Sequence, residues 1–440
     1  MSHRTKLILA LAAFTAVCAF AQPPMGGGSG RGGGRGGGFG GPAIKSPEVS
    51  ADGKVTVRLR APNAKEVFLT GIGGRLAMQK DDQGVWTATT DAQKPDVYMY
   101  QFSVDGMTIN DPSNPHLATS WGTGGRSVVT IPGAVAWAPV AGVAHGTVSR
   151  HAYHSDVVGD DREFFVYTPA GYDPKRKEAY PVFYVLHGLG DDAQSWLTQG
   201  NANVILDNLI AQGKARPMIM VNPLGYGTAG GGMGTTDMIV HFTDALLTEV
   251  MPRVEKEYNV AKDREHRAIA GLSMGGAEAT FAGLNHLDKF AWVGSFSGAY
   301  VMWPGANAGG GRGGPGAPGT SGGMGAGRGA GVAGPGPGPG AAGASGGRGG
   351  GRGGQQMIAK EIIDRNFGTL DAKANSQLKM FWIVCGLDDS LLGVNRQFKD
   401  WLKAKNIKFT ESEVPGMAHV WPLWRQNLTD MAQQVFADKK

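Results

Sequence analysis

The chain has 440 residues, of which 72 are glycine, and its formal net charge is +5. Two basic residues lie in the first six positions and six arginines stand in glycine-rich tracts that carry no acids, which leaves −3 on the rest of the chain. This distribution excludes a chain-wide basic surface of the kind that binds nucleic acid, and the Arg-Gly-Gly repeats are typical of flexible, solvated linkers.

The first 21 residues have the parts of a secretory signal peptide. A basic start precedes an almost wholly apolar stretch, Leu7–Phe20, and Ala19-Phe20-Ala21 matches a signal peptidase site. We expect cleavage after Ala21 and a secreted or periplasmic protein, with lipoprotein modification at Cys18 as the less favoured alternative. The apolar stretch is too short to cross a bilayer, so no stable membrane insertion is expected.

Two glycine-rich tracts punctuate the rest of the chain. Residues 22–42 predict a disordered linker, and residues 304–354 predict a disordered insertion, because neither tract can bury a core. A long flexible loop adds only a modest entropic cost, so we expect the insertion to loop out without dividing the domain that contains it.

Residues 43–134 have an all-β pattern of short, alternating or apolar segments separated by turn residues. They predict a small, immunoglobulin-like β-sandwich. The expected strands contain Val55–Leu59, Val67–Thr70, Val85–Thr87, Tyr98–Val104 and Val128–Ile131.

Residues 135–440 have a different pattern, in which apolar strands alternate with helical stretches such as 202–211 and 243–258. This alternation is typical of a mainly parallel sheet covered by helices, so the predicted fold class is α/β.

The most specific motif in this second segment is Gly271-Leu272-Ser273-Met274-Gly275, which follows an apolar run and precedes a helix-forming stretch. A Gly-x-Ser-x-Gly sequence between a strand and a helix is typical of a nucleophile elbow. The same pattern recurs around Ser321 and Ser345, but both copies lie in glycine-rich repeats without strand or helix signals. Ser273 is therefore the candidate nucleophile.

An elbow of this kind works with an oxyanion hole made of backbone amides. His187-Gly188-Leu189-Gly190 follows a buried-strand pattern about eighty residues before the elbow. We expect the amides of Leu189 and Met274 to bind the oxygen that becomes negative during ester cleavage. His187 precedes Ser273 in the chain and is predicted to shape this loop.

In α/β-hydrolases the acid and then the histidine follow the serine along the chain. Only His286 and His419 follow Ser273, and His286 stands within a helical pattern. The acid is expected at the end of the apolar run 381–385, which leads into Asp388 and Asp389, and only His419 lies beyond that point. His419 is therefore the candidate general base.

Three aromatic residues are further candidates for substrate binding. Trp196 and Tyr226 come soon after predicted strands, and Trp421 is two residues from His419. Core packing is an equal alternative for Trp196 and Tyr226, and packing that positions the histidine loop is somewhat favoured for Trp421. The chain has no metal-binding or dinucleotide-binding motif, so neither a metal nor an organic cofactor is expected.

These residues resemble carbohydrate esterase family 1, the feruloyl and acetylxylan esterases with an esterase D-like α/β-hydrolase fold. The resemblance implies that Asp389, the second of the two aspartates, completes a triad with Ser273 and His419. It also implies that residues 43–134 are similar to a family 48 carbohydrate-binding, early-set module. The matching segments are 145–148, 167–172, 180–188, 205–210, 217–219, 267–276, 385–389 and 416–424.

By this resemblance the expected function is hydrolysis of feruloyl or acetyl esters on a plant polysaccharide such as xylan. Two alternatives stay open: an acyltransferase similar to the mycolyltransferases, and a glycan-binding protein without enzymatic activity. The insertion at 304–354 departs from the family pattern where substrate-shaping structure is expected, so the acyl group stays undetermined.

Overall fold

The computed structural model describes residues 44–119, 124–231, 237–306 and 357–437. The predicted signal peptide and the linker 22–42 lie outside these residues, as does the insertion from residue 307 to 354. Residues Ile44–Lys440 form one compact unit.

The described residues of the β-rich segment contain ten strands, which include one at each of the five predicted positions. Two antiparallel sheets, ordered β1-β2-β6-β5 and β4-β3-β7-β10-β9 with β8 beside β7, share one apolar core that contains Val57, Leu69 and Phe102. The strands are β1 Glu48–Val49, β2 Val55–Arg60, β3 Val67–Thr70, β4 Leu76–Ala77, β5 Gln79–Lys80, β6 Val85–Thr89, β7 Asp96–Val104, β8 Met107–Ile109, β9 Leu117–Ala118 and β10 Arg126–Ile131.

The second segment is built on an eight-stranded sheet ordered β11-β12-β14-β13-β15-β16-β17-β18. Strands β11 and β12 pair antiparallel at one edge, and every pair from β14 to β18 is parallel. The strands are β11 Thr147–Ser155, β12 Asp160–Thr168, β13 Val182–Leu186, β14 Ile219–Pro223, β15 Arg267–Leu272, β16 Trp292–Phe296, β17 Met380–Gly386 and β18 Thr410–Val414.

Helices connect these parallel strands. A π-helical turn, Leu246–Val250, joins α3 to α4 into one continuous helical segment. This segment begins at Met238, five residues before the start expected at residue 243. The α-helices are α1 Ser195–Thr198, α2 Ala202–Ala211, α3 Met238–Ala245, α4 Met251–Glu257, α5 Met274–Asn285, α6 Lys360–Phe367, α7 Ala374–Gln377, α8 Leu392–Ala404 and α9 Trp421–Ala432.

Alternating side chains of the central strands enter two different apolar cores, as expected for strands buried on both faces. In β13, Val182 and Tyr184 belong to one core, whereas Phe183 and Val185 belong to the other. The second core also contains Val97 and other side chains of the β-rich segment, so the two segments bury apolar surface together.

Candidate active site

Ser273 occupies the sharp turn between β15 and α5, with φ at 52°. L-residues rarely adopt positive φ, so the surrounding structure holds this serine in a strained conformation. The adjacent glycines allow close packing: a Cβ at Gly271 would lie 2.4 Å from the Gly275 backbone, and one at Gly275 would lie 2.5 Å from the His187 carbonyl oxygen. The strand, turn and helix predicted around Ser273 are therefore observed.

The structure brings Ser273, His419 and Asp389 together at the carboxyl edge of the large sheet. The Ser273 Oγ lies 2.9 Å from His419 Nε2, and His419 Nδ1 lies 2.9 Å from Asp389 Oδ2. The imidazole is 34% exposed, whereas the Asp389 side chain is inaccessible. This arrangement allows the imidazole to take a proton from the serine while the carboxylate fixes its tautomer.

Several interactions keep Asp389 ionised in this buried place. Burial alone would raise its pKa, but the hydrogen bond and charge attraction from His419, together with hydrogen bonds from the Leu391 backbone and Ser297, lower the pKa below its ordinary value. The backbone N–H of Leu391 also donates to Asp389 Oδ1 at 2.9 Å. Its neighbour Asp388 is exposed.

Ser297 and Trp424 contact this group. The nearness of Trp424 to His419 in the sequence favours packing that positions the histidine loop, whereas no sequence signal pointed to Ser297. Ser297 directly follows β16, has φ at 52° and is fully buried. The Trp424 indole N–H donates to Ser297 Oγ at 3.3 Å, and a hydrogen bond with Ser297 helps to lower the pKa of Asp389. The Trp424 and His419 rings also pack edge to face, with 4.8 Å between their centroids.

The segment that follows β13 passes directly beside the nucleophile. A Cβ at Gly188 would lie 2.5 Å from Leu272 Cδ1 and 3.3 Å from Ser273 Cβ, so a larger residue there would displace the Leu272 side chain. Leu189 comes next and is exposed, and Met274 is the first residue of α5, where backbone amides are free of intrahelical partners. An oxyanion hole formed by the Leu189 and Met274 amides is compatible with this placement.

Tyr226 holds the Leu189 loop from beneath and does not reach the accessible surface. Its side chain is 1% exposed; its hydroxyl accepts a hydrogen bond from the Gly190 N–H at 2.7 Å and donates to the Asp191 carbonyl oxygen at 2.9 Å. Sequence reasoning offered substrate contact or packing for this residue, and the observed contacts are those of loop support.

His187 lies behind the same loop as a buried, neutral imidazole. Its Nε2 accepts from the Gly225 N–H at 2.8 Å, and its Nδ1 contacts the Gly188 carbonyl oxygen at 2.8 Å, so the proton resides on Nδ1. Burial lowers its pKa to about 4. These two backbone contacts agree with the loop-shaping role expected for His187.

Two carboxyl groups in this region are also shifted by burial. Asp191 follows the Leu189 loop, and burial raises its pKa to about 7. Glu278 lies in α5 and is fully buried, and burial raises its pKa to about 8. Among the described residues neither Glu278 carboxyl oxygen has a hydrogen-bond partner. Glu278 is therefore protonated at neutral pH.

The two candidate tryptophans pack against each other. Trp196 is 0% exposed and its indole N–H donates to the Leu186 carbonyl oxygen at 2.8 Å, so it belongs to the core. Trp421 is partly exposed, and its ring meets the Trp196 ring at 5.1 Å and the Trp424 ring at 5.4 Å. Of the two, only Trp421 has exposed surface that a substrate could contact.

Within the described parts of the chain no group of three or more His, Cys, Asp or Glu side chains is arranged to hold a metal ion. No helix in those parts is long and apolar enough to cross a membrane.

Residues 155–311, which include Ser273, match a family model described as a putative esterase. Over 276 residues, or 59% of its length, the chain is 34% identical to an endo-1,4-beta-xylanase/feruloyl esterase of Xylanibacter ruminicola. The chain spans 37% of the length of that relative.

Two solved esterases show the same fold. A ferulic acid esterase from Anaeromyces mucronatus, solved with ferulic acid, has a TM-score of 0.50 at 23% identity and covers 69% of this chain and 96% of its own. The enterobactin esterase of Shigella flexneri has a TM-score of 0.53 at 19% identity and covers 87% of this chain and 93% of its own. These structures show the fold, and the family match together with the Xylanibacter ruminicola relative supports a carboxylic ester hydrolase.

Proposed function

We propose that the chain is a serine esterase that uses Ser273, His419 and Asp389 and passes through an acyl-enzyme. The observation that carries the proposal is the pair of 2.9 Å contacts that link the strained Ser273 to His419 and His419 to the inaccessible Asp389. A buried, paired carboxylate costs stability, and its placement behind a strained serine matches the needs of nucleophilic catalysis.

The reaction follows from these contacts. Ser273 Oγ bonds to the ester carbonyl carbon while its proton moves to His419 Nε2, and the carbonyl oxygen becomes an anion bound by the Leu189 and Met274 amides. The intermediate collapses, the alcohol leaves with the proton from His419, and the acyl group stays on Ser273. Water, deprotonated by His419, then releases the acid and restores the serine.

The proposed substrates are feruloyl or acetyl esters of a plant polysaccharide such as xylan. The name of the Xylanibacter ruminicola relative, which combines xylanase and feruloyl esterase, supports this class. Comparing turnover of methyl ferulate with that of acetylated xylan would identify the acyl group: a strong preference for either substrate is expected, and turnover of neither would contradict the proposed class.

The β-rich segment is proposed to be an early-set, carbohydrate-binding-like module that assists the esterase and does not bind glycan by itself. Trp86 supports this reading because its ring is buried and its N–H donates to the Ala61 carbonyl oxygen at 2.9 Å, so it offers no stacking platform. We further propose that residues 1–21 direct secretion, to the periplasm or beyond, on the strength of their composition alone.

The decisive test is Ser273→Ala, assayed on a p-nitrophenyl ester. We expect kcat to fall by about 10³-fold or more because the nucleophile is lost. Ser321→Ala is a matched control, since Ser321 stands in the same Gly-x-Ser-x-Gly pattern without an elbow, and it should leave kcat unchanged. Equal activity of the Ser273 variant and its parent would refute the mechanism.

An acyltransferase on the same fold is the alternative, and it shares every step up to the acyl-enzyme. Product analysis with a sugar alcohol present separates the two: hydrolysis should release free acid throughout, whereas a transferase would form mainly the new ester. A glycan-binding protein without activity would turn over no ester at all.

A further inference from the structure

Arg425 is a buried cation at the point where α9, the β-rich segment and the residues after α1 meet. Its side chain is 1% exposed, although an arginine is rarely found inside a protein without a specific partner. It lies in the second turn of α9, which begins two residues after His419. Its guanidinium pairs with Asp96, the first residue of β7 in the β-rich segment. One residue therefore joins the helix behind the catalytic histidine to the other segment of the molecule.

The same guanidinium also reaches the segment that follows the oxyanion loop. Arg425 Nη1 donates to the Gln199 carbonyl oxygen at 2.6 Å, just after α1. The Gln199 side chain then donates to Asp191 Oδ1 at 3.0 Å, and the Asp191 carbonyl oxygen accepts from Tyr226. These hydrogen bonds, joined through the covalent frames of Gln199 and Asp191, connect Asp96 to the loop that carries Leu189.

Helix α9 transmits the position of Arg425 to the histidine. The ring of Trp424, which precedes Arg425 in the chain, packs against the His419 ring with 4.8 Å between the ring centroids. The ring of Trp421, in the first turn, packs against the Trp196 ring with 5.1 Å between the centroids. Any shift of this helix displaces the imidazole relative to Ser273 Oγ, where the two atoms are 2.9 Å apart.

Apolar contacts support the same junction. Val97, Ala118 and Val128 of the β-rich segment belong to the core that contains Leu423 and Trp424 of α9. Trp137, which connects the two segments, belongs to it too, and its ring lies 5.6 Å from the Arg425 guanidinium carbon. The β-rich segment therefore packs directly against the helix that carries the histidine loop.

We propose that Arg425 and Asp96 are positioning residues, through which the β-rich segment holds the histidine loop and the oxyanion loop in register. The β-rich module then assists the esterase by holding the active-site loops in place. This inference rests on the proposed esterase activity. A displacement of His419 or of the proposed oxyanion amides by about 1 Å costs up to 10²-fold in rate.

The test compares full-length variants at two buried arginines. Arg425→Met removes the bridge, and Asp96→Asn keeps the shape of the aspartate while removing its charge. Arg267→Met is the matched control: Arg267 is 3% exposed and pairs with Glu255, but it lies at the amino end of β15. Each protein is assayed on p-nitrophenyl acetate well below its measured melting temperature.

We expect Arg425→Met to lower kcat by about tenfold or more with KM changed by about twofold at most, and Asp96→Asn to act in the same direction more weakly. Arg425→Lys should restore part of kcat. Arg267→Met should lower the melting temperature and leave kcat within about twofold, because its damage lies far from the histidine.

Two results would overturn the inference: kcat of the Arg425 and Asp96 variants at the parental value, or an equal loss in Arg267→Met. If Arg425→Met does not fold, Asp96→Asn decides the matter. The rate of covalent labelling of Ser273 by a fluorophosphonate gives an independent reading and should fall in the same variants. A parent chain that hydrolyses no ester would instead refute the proposed function.

Discussion

The two ends of the large parallel sheet differ in how their polar groups are held. At the amino end of β15, Arg267 is paired with Glu255 at 2.8 Å and donates to two backbone carbonyl oxygens. At the carboxyl end, Ser273 and Ser297 have positive φ, and burial raises the pKa of Glu278 to about 8. Strain and the burial of ionisable groups cost stability, and both occur at the end of the sheet that carries Ser273, as expected where a fold serves chemistry.

The sharpest test of this contrast is the pair of adjacent aspartates. Asp389→Asn should lower kcat by about 10⁴-fold, because an amide holds His419 in the wrong tautomer. Asp388→Asn should change kcat by about twofold at most, since Asp388 is exposed. Steady-state kinetics on a p-nitrophenyl ester would measure both, and the opposite order of effects would move the orienting acid to Asp388.

A second test compares two buried tyrosine hydroxyls. Tyr226→Phe removes two hydrogen bonds that hold the Leu189 loop, which we propose supplies an oxyanion-hole amide, and should lower kcat by about tenfold. Tyr180→Phe removes one hydrogen bond from the Asp173 N–H, just before β13 at the amino end of the sheet, and should leave kcat within about twofold. Thermal melting should show similar losses for both variants, and a similar fall in kcat would contradict the contrast.

A third test uses pH and concerns stability. Glu278 has a pKa of about 8 in the folded chain and an ordinary value of 4.5, so the folded state holds its proton more tightly. Its contribution is fully present below about pH 4.5 and is lost as the pH rises to about 8. We expect the melting temperature of Glu278→Gln to fall less than that of the parent between pH 5 and pH 9. Parallel curves would show that Glu278 ionises normally.

The smallest effect is expected for the glycine-rich insertion. The insertion begins soon after β16, and its composition offers no apolar cluster. The residues on either side of it have their own hydrogen bonds: Asn366 donates to the Pro304 carbonyl oxygen, and the Ile358 N–H donates to the Gln397 side chain. Replacing residues 307–354 by a short Gly-Ser linker should leave the melting temperature unchanged and kcat altered severalfold at most. Unfolding of this variant would show that the tract packs on the hydrolase.

Sequence pattern alone identified the elements that depend on local chemistry. The elbow at Ser273 was predictable because only a glycine-flanked serine between a strand and a helix fits such a turn, and chain order then selected His419. The strands of the β-rich segment were predictable from alternation, because side-chain direction in a strand repeats every two residues. The choice of Asp389 over Asp388 came from resemblance, since adjacent residues in a loop have no period to separate them.

Only the tertiary structure decided which polar side chains support the site. For Tyr226 and Trp196 the sequence left substrate contact and core packing as equal alternatives, and the structure buries both side chains, where their polar groups bond to backbone groups of other segments. Arg425 had no signal at all: its partners Asp96 and Gln199 are 329 and 226 residues away in the chain. Hydrophobic periodicity describes the environment of a single strand or helix. A buried ion pair depends on which distant elements come into contact, and only tertiary packing determines those contacts.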